Sequence, residues 1–412
     1  MARSRRNKRN NKSKIVDYFS KFVIISIIII IICSIILSVR YYFETVEVAN
    51  QKIKLQEEIK AIYERKTPET VEEKEEKVKD TTINISIIGD ILCGNGMLND
   101  AKKEDGSYNF DSMLSEINEI TKTSDIVIGT METNFIQEHE YSGVNKYNAP
   151  IEFAQAIKNS GVDVVSIAHN HSLDYGVEGL NTSKQQLESI GIETVGTQNY
   201  VVRNIKGVKV ALLAYTYGFS NESDLSTEDK QNVNIFSKEK SANDINQAKK
   251  EADYIMVIMH WGDVNSTKKN EEQEEVADYL ISIGANAIVG SHPSVPQAME
   301  MKKNAQGEDE FVSYSLGNYI SSLAYENSKL QVIVNLQIRK EAKTEKIVLE
   351  KVTYTPLYVL DRGTKAENQY QVLDIKKEAK KYLDGEKNID KKTYEKLMKS
   401  LEKIENIIRS KQ

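Results

Sequence analysis

From Ile83 onward, short runs of Val, Ile and Ala alternate with segments of helical period, a rhythm that predicts an α/β domain. The apolar runs are INISIIGD, IVIGTME, VDVVSIAHN, VKVALLAYTY, YIMVIMHWG, ANAIVGSHP and FVSYSLGN, the last two reading as buried strands. Helices are predicted near 111–121, 150–160, 177–190 and 243–252, and over EEQEEVADYLISIG, where Val276, Tyr279, Leu280 and Ile283 share one face. LQVIVNLQIRK and KIVLEKVTYTPLYVL alternate instead, like a half-exposed hairpin turning between Glu341 and Glu345, and the core domain is expected to close near residue 360. Beyond it, Tyr394, Leu397, Met398, Leu401, Ile404 and Ile408 fall at helical spacing. Docking on its own domain is the ordinary role of such a helix and partner binding the alternative. No solenoid repeat is present.

Residues 22–39, FVIISIIIIIICSIILSV, form an uncharged run long enough for a helix to cross a bilayer. Arg40, Tyr41, Tyr42 and Phe43 follow it in place of the small residues of a signal-peptide cleavage site, so an uncleaved anchor is expected. Residues 1–21 carry eight basic side chains against Asp17, which places this tail in the cytoplasm and everything after residue 40 outside the cell. Removing the tail's +7 from the chain's −6 leaves −13 on the exported part, which argues against nucleic acid as a partner. The expected organisation is therefore a basic tail (1–21), a single membrane span (22–39), a Glu/Lys-rich stalk (40–80), the α/β domain (81–360) and a helical extension (361–412). Cys33 lies in the span and Cys93 in the domain, so no disulfide framework exists and the domain depends on its own core.

Five apolar runs end in a residue able to bind metal, at the strand ends where sites of α/β proteins collect. These are Asp90, Glu132, Asn170 with His171, His260 and His292. Carboxylate, amide and imidazole together suit Mn, Fe or Zn, and the set lacks the thiolates of a structural zinc site. Taken singly, a histidine here reads as structural, Asp90 and Glu132 as capping or loop carboxylates, and Asn170 as a turn residue. Four of the five histidines (His169, His171, His260, His292) lie at such ends, and only His139 lies elsewhere, which reverses the single-residue reading.

The segments IIGDILCGNGM, GTMETNF, AHNHSLDYGVEGL, MHWGDV, GSHPSVPQAME and YSLGNYI, in this order between Ile83 and Ile320, resemble the bacterial capsule synthesis proteins of the CapA type. That family belongs to the calcineurin-like metallophosphatase superfamily. The resemblance implies a layered sandwich of mixed β-sheets flanked by helices, and a role in making or exporting poly-γ-glutamate. The implied partners are the membrane, capsule synthase or export proteins and the anionic polymer.

Two departures stand out. Leu92 replaces the histidine of Asp-x-His, and Ser291, His292, Pro293 and Ser294 replace His-His-Pro-His. One site of the superfamily's two-metal centre would then keep only Asp90 and the shared Glu132. The other keeps Glu132, Asn170, His260 and His292, so one divalent ion is expected, or a second held weakly through water. The implied chemistry is hydrolysis at a phosphoryl or carbonyl centre, with His171 donating a proton to the leaving group or stabilising the developing charge. Asp174 either orients His171 or caps the following helix. Trp261 walls the pocket or packs, Cys93 is a buried small residue, and Tyr314 and Ser315 shape their loop. Besides capsule assembly, a metal-dependent phosphoesterase or amide hydrolase and a degenerate scaffold remain open.

Overall fold

The structure, a computed structural model, describes residues 34–38, 40, 42, 46 and 79–410. The chain forms two compact units, Met1–Lys77 and Val78–Gln412. In the first, the described residues are helical. The expected span (22–39) and stalk (40–80) lie largely outside the described residues, among which no helix is long and apolar enough to cross a membrane.

The second unit contains strands β1 (Thr81–Ile91), β2 (Ile126–Met131), β3 (Ser142–Val144), β4 (Lys146–Asn148), β5 (Val164–Ser166), β6 (Glu193–Val195), β7 (Val201–Ile205) and β8 (Val208–Thr216). It continues with β9 (Tyr254–His260), β10 (Ala287–Ser291), β11 (Met299–Lys303), β12 (Asp309–Ser313), β13 (Asn318–Ile320), β14 (Leu330–Lys340), β15 (Ile347–Asp361) and β16 (Tyr370–Asp374). One sheet has the order β16-β15-β14-β1-β2-β5-β6, with β13 also paired to β1. The other runs β11-β12-β10-β9-β8-β7, and β3-β4 is a separate hairpin. Strands β1, β2, β5 and β6 are parallel in the first sheet, as are β8, β9, β10 and β12 in the second.

The period-2 pattern of β8 shows how the layers form. Val208, Val210, Leu212 and Ala214 join the core that also holds Ile83, Ile85 and Val334 of the first sheet. Ala211, Leu213 and Tyr215 face the opposite way, into a cluster with Ile245 and Ala248 of helix Lys238–Ala248 and Val276, Leu280 and Ile281 of helix Glu271–Ile283. The result is a sandwich of mixed sheets flanked by helices. Helix Glu271–Ile283 starts at a capping box made by Asn270 and Gln273 and stops at Gly284, whose φ of 107° is left-handed.

Several elements differ from the sequence expectation. The helix near 111–121 is two short helices, Asp111–Leu114 and Asn118–Thr121, and at the break the Ser115 hydroxyl bonds the Ser112 carbonyl. The helix expected near 243–252 starts earlier, at Lys238, because Ser237 caps it. FVSYSLGN is not one strand: it leaves the second sheet at Ser313 and enters the first at Asn318, turning through Gly317 at φ 72°. The first sheet also runs past residue 360, because β16 pairs along β15 from Leu357 to Asp361. Leu397, Ile404 and Ile408 of helix Lys391–Ile408 are buried in the same core, so that helix docks on its own domain.

Gly89 sets how closely β13 approaches β1. A β-carbon there would lie 1.8 Å from the Gly317 carbonyl oxygen, which accepts the Asp90 amide at 3.1 Å. Gly89→Ala is expected to cost about 3 kcal/mol, as forced overpacking does. A urea unfolding midpoint unchanged from wild type would contradict this close approach.

Candidate metal centre

The C-terminal ends of five parallel strands meet at one edge of the sandwich. Asp90 lies in β1, Glu132 just past β2, Asn170 in the loop after β5, His260 at the end of β9 and His292 just past β10. Apolar strands of three to eleven residues deliver these polar groups into a site where all five are buried.

Their ligand-type atoms converge. Nε2 of His260 is 2.8 Å from Asn170 Oδ1, 3.1 Å from His292 Nδ1 and 3.9 Å from Glu132 Oε1. Atoms of Asp90, Glu132 and His260 lie within 4.8 Å of one another. Asp90 Oδ2 accepts the His292 amide at 2.9 Å, whereas no hydrogen-bond donor among the described residues reaches Asp90 Oδ1 or Glu132 Oε1. Buried carboxylate oxygens without donors are costly, and a cation would satisfy them. The donor set therefore fits a divalent ion of the Mn, Fe or Zn type.

Supporting contacts fix each side chain. His260 Nδ1 meets Ser291 Oγ at 2.9 Å, which leaves Nε2 as the ligand nitrogen. Asn170 Nδ2 donates to Ser220 Oγ at 2.6 Å, turning Oδ1 toward His260. His292 has φ 96° and Ser294 φ 60°, rare for non-glycine residues. Such strain costs about 1–3 kcal/mol per residue and persists where surrounding contacts impose it, here the bond from the His292 amide to Asp90.

Protonation follows burial. Burial raises Asp90 to about 7, against the pull of the His292 amide on its Oδ2. Glu132 is pushed well above the ordinary range by burial and then by the charge of Asp90. Burial holds His260 well below its usual value, with His292 adding to the effect, and lowers His292 to about 4. The imidazoles are thus neutral, the form that binds metal.

His171 and Asp174 sit beside the cluster. His171 Nδ1 is 2.8 Å from Asp174 Oδ2, and the following helix has Tyr175 as its N-cap with no side-chain cap bond. Asp174 therefore contacts His171 rather than capping the helix. His169 is buried, and its Nδ1 accepts the His171 amide at 3.1 Å, so it holds the loop. Leu92 is buried and apolar, and Ser294 Oγ is 3.4 Å from the His292 carbonyl. Trp261 packs on Tyr314 and donates its indole N–H to the Tyr314 carbonyl at 2.9 Å. Cys93 is buried, and burial raises its thiol far above the ordinary range. Ser315 Oγ bonds the Val295 carbonyl at 2.8 Å, shaping its loop.

Two tyrosines escaped the sequence reading. Tyr217 stacks near-parallel to His260, and its hydroxyl is 3.5 Å from His292 Nε2. It directly follows β8, so the strand-end rule that found the ligands would have found it too. Tyr147 meets His171 edge-on at 4.8 Å from the β3-β4 hairpin, a contact with no signal in the sequence.

A family profile described as "Bacterial capsule synthesis protein PGA_cap" matches residues 84–323, which include all seven candidate site residues. Capsule biosynthesis protein CapA of Bacillus anthracis is 28% identical over 273 residues, 62% of this chain and 64% of that protein. PGA biosynthesis protein CapA of Bacillus subtilis (strain 168) is 25% identical over 272 residues, 63% of this chain and 69% of that protein. The chain thus spans somewhat under two thirds of the B. anthracis relative. Among solved structures, Haemophilus influenzae NAD nucleotidase (NadN) aligns with TM-score 0.45 and 13% identity, covering 80% of this chain and 61% of that one. The calcineurin-like phosphoesterase YfkN from Bacillus subtilis aligns with TM-score 0.40 and 12% identity, covering 68% and 91%. The profile covers more than half of the chain and spans the strand ends that build the site, and on that ground the protein belongs to the bacterial capsule synthesis (PGA_cap) family.

Proposed function

We propose that this protein acts at the cell surface in the synthesis or export of an anionic capsule polymer, poly-γ-glutamate, through a domain that holds one divalent metal. The observation that carries this reading is the convergence of Asp90, Glu132, Asn170, His260 and His292, with two donorless carboxylate oxygens, inside a capsule-family domain. The name of the B. subtilis relative supports the polymer. The apolar run 22–39 after a basic tail supports a single-pass anchor with the domain outside the cell and membrane-bound synthase or export proteins as its partners. With Leu92 and Ser294 supplying no ligand nitrogen, the reading takes one ion rather than two. Deleting the gene should abolish surface polyglutamate; the full chain should restore it and His260→Ala should not. An unchanged capsule in the deletion strain would reject the role.

The His171–Asp174 contact favours a second reading, hydrolysis of a phosphoester or of the polymer's own amide. A divalent ion bound at these atoms supplies Lewis-acid polarisation of a phosphoryl or carbonyl oxygen. Asp174 fixes His171 through Nδ1, so that in the imidazolium form the other ring nitrogen carries the proton given to the leaving group. Tyr147 packs on the His171 ring, and Asn134 Nδ2 donates to the His171 carbonyl at 3.3 Å, so ring and backbone are both held. Asp174→Asn is expected to lower kcat on a polymer or phosphodiester substrate roughly a hundredfold while leaving metal content unchanged. Equal kcat in the two proteins would remove His171 from the chemistry.

A further inference from the structure

Beside the metal centre lies a cleft of about 320 Å³ lined by Tyr217, Phe236, Trp261, Asp263 and Glu272, among others. Three features set its chemistry. Aromatic rings form part of its wall, and among the described residues Asp263 and Glu272 are its only charged lining groups, with no lysine or arginine. Tyr217 joins the cleft to the metal centre: one half-exposed ring lines the cleft, lies 5.0 Å from the His292 ring and reaches His292 Nε2 with its hydroxyl. A group held in the cleft would therefore lie next to whatever the metal holds.

We infer that this cleft is a subsite for an ammonium group of the substrate. Two carboxylates attract a cation, and the Tyr217, Phe236 and Trp261 rings in the wall give an alkylammonium's carbon chain an apolar surface to pack on. The same charges repel a carboxylate, so the side groups of a polyanion are turned away. A γ-glutamyl chain carries carboxylates along its length, and its one cation is the terminal ammonium. The inference rests on the polymer reading above for that substrate, and on that reading the metal centre engages the chain at its amino terminus.

Trp261 is the chain's only tryptophan and lines the cleft, so its fluorescence reports on the site. The full-length protein in detergent would be titrated at pH 7.5 with n-pentylammonium, n-pentanol and n-pentanoate, beside the Asp263→Asn/Glu272→Gln double variant. The ammonium should give a saturable change, with affinity at least fivefold tighter than for the alcohol or the carboxylate. The double variant should lose that preference. No saturation, an equal response to all three probes, or an unchanged preference in the double variant would overturn the subsite. Metal content read on the same samples separates the two ideas: a bound equivalent of metal without ammonium selectivity overturns the subsite alone, and absence of both overturns the metal centre as well. A γ-glutamyl tripeptide with a free amino terminus should likewise outcompete its N-acetylated form, and equal competition by the two would overturn the assignment.

Discussion

His260→Ala is expected to reduce bound metal in the purified full-length protein from about one equivalent to a trace. His260 is the hub of the cluster, with Nε2 facing Asn170 Oδ1, His292 Nδ1 and Glu132 Oε1. Removing an outer partner of a metal ligand typically weakens affinity by roughly 10–100-fold, so loss of the ligand itself should weaken it by more than about a hundredfold. Alanine would also leave the Glu132 and Asp90 carboxyls facing a void, so the variant should gain little stability from added Mn or Zn, whereas the wild type should gain in proportion to log metal concentration. Elemental analysis after dialysis, beside a thermal scan, reads both effects. Equal metal content in wild type and variant would place the ion elsewhere.

The second large effect is on stability against pH in the metal-free protein. Burial raises Asp90 from 3.8 in the unfolded chain to about 7 in the fold. The stability this group contributes is therefore fully present below about pH 3.8 and is lost as pH rises through about 7, a loss on the order of 4 kcal/mol. Glu132 acts in the same direction. His292 opposes them: its value falls from 6.5 to about 4, so it destabilises the fold below about pH 6.5 and that penalty disappears as pH rises. Comparing wild type with Asp90→Asn isolates the carboxylate, since asparagine can still accept the His292 amide. With a chelator present, the variant should gain on wild type by several kcal/mol between pH 4.5 and pH 8; with Mn present at pH 8 the order should reverse. A pH-independent difference in urea midpoints would contradict a buried Asp90 carboxyl whose Oδ1 has no donor.

The strand ends were the legible part of the site. Asp90, Glu132, Asn170, His260 and His292 could be picked out because apolar runs such as IVIGTM and YIMVIMH stop at a polar residue, and parallel strands put such stops at one edge. Their convergence was expected from the strand-end pattern and the family resemblance, but the apolar runs alone do not show that two different sheets supply the site: β9 and β10 bring the histidines, whereas β1, β2 and the loop after β5 bring the oxygens. Asp174 carried two readings in the sequence, and its contact with His171 rather than with the helix end follows from the loop geometry. The crossing at Gly317 was hidden because FVSYSLGN is apolar enough for one strand, and only the close approach to Gly89 shows why it must turn. Strand β16 lies beyond a polar loop, where a short run such as YQVLD gives no pattern strong enough to extend a sheet.

The metal centre is tested most directly by anomalous diffraction from crystals of the protein soaked in Mn. One anomalous peak is expected within bonding distance of Glu132, Asn170, His260 and His292, with Asp90 alongside. No peak at these residues, or a peak bound only at surface carboxylates, would contradict it.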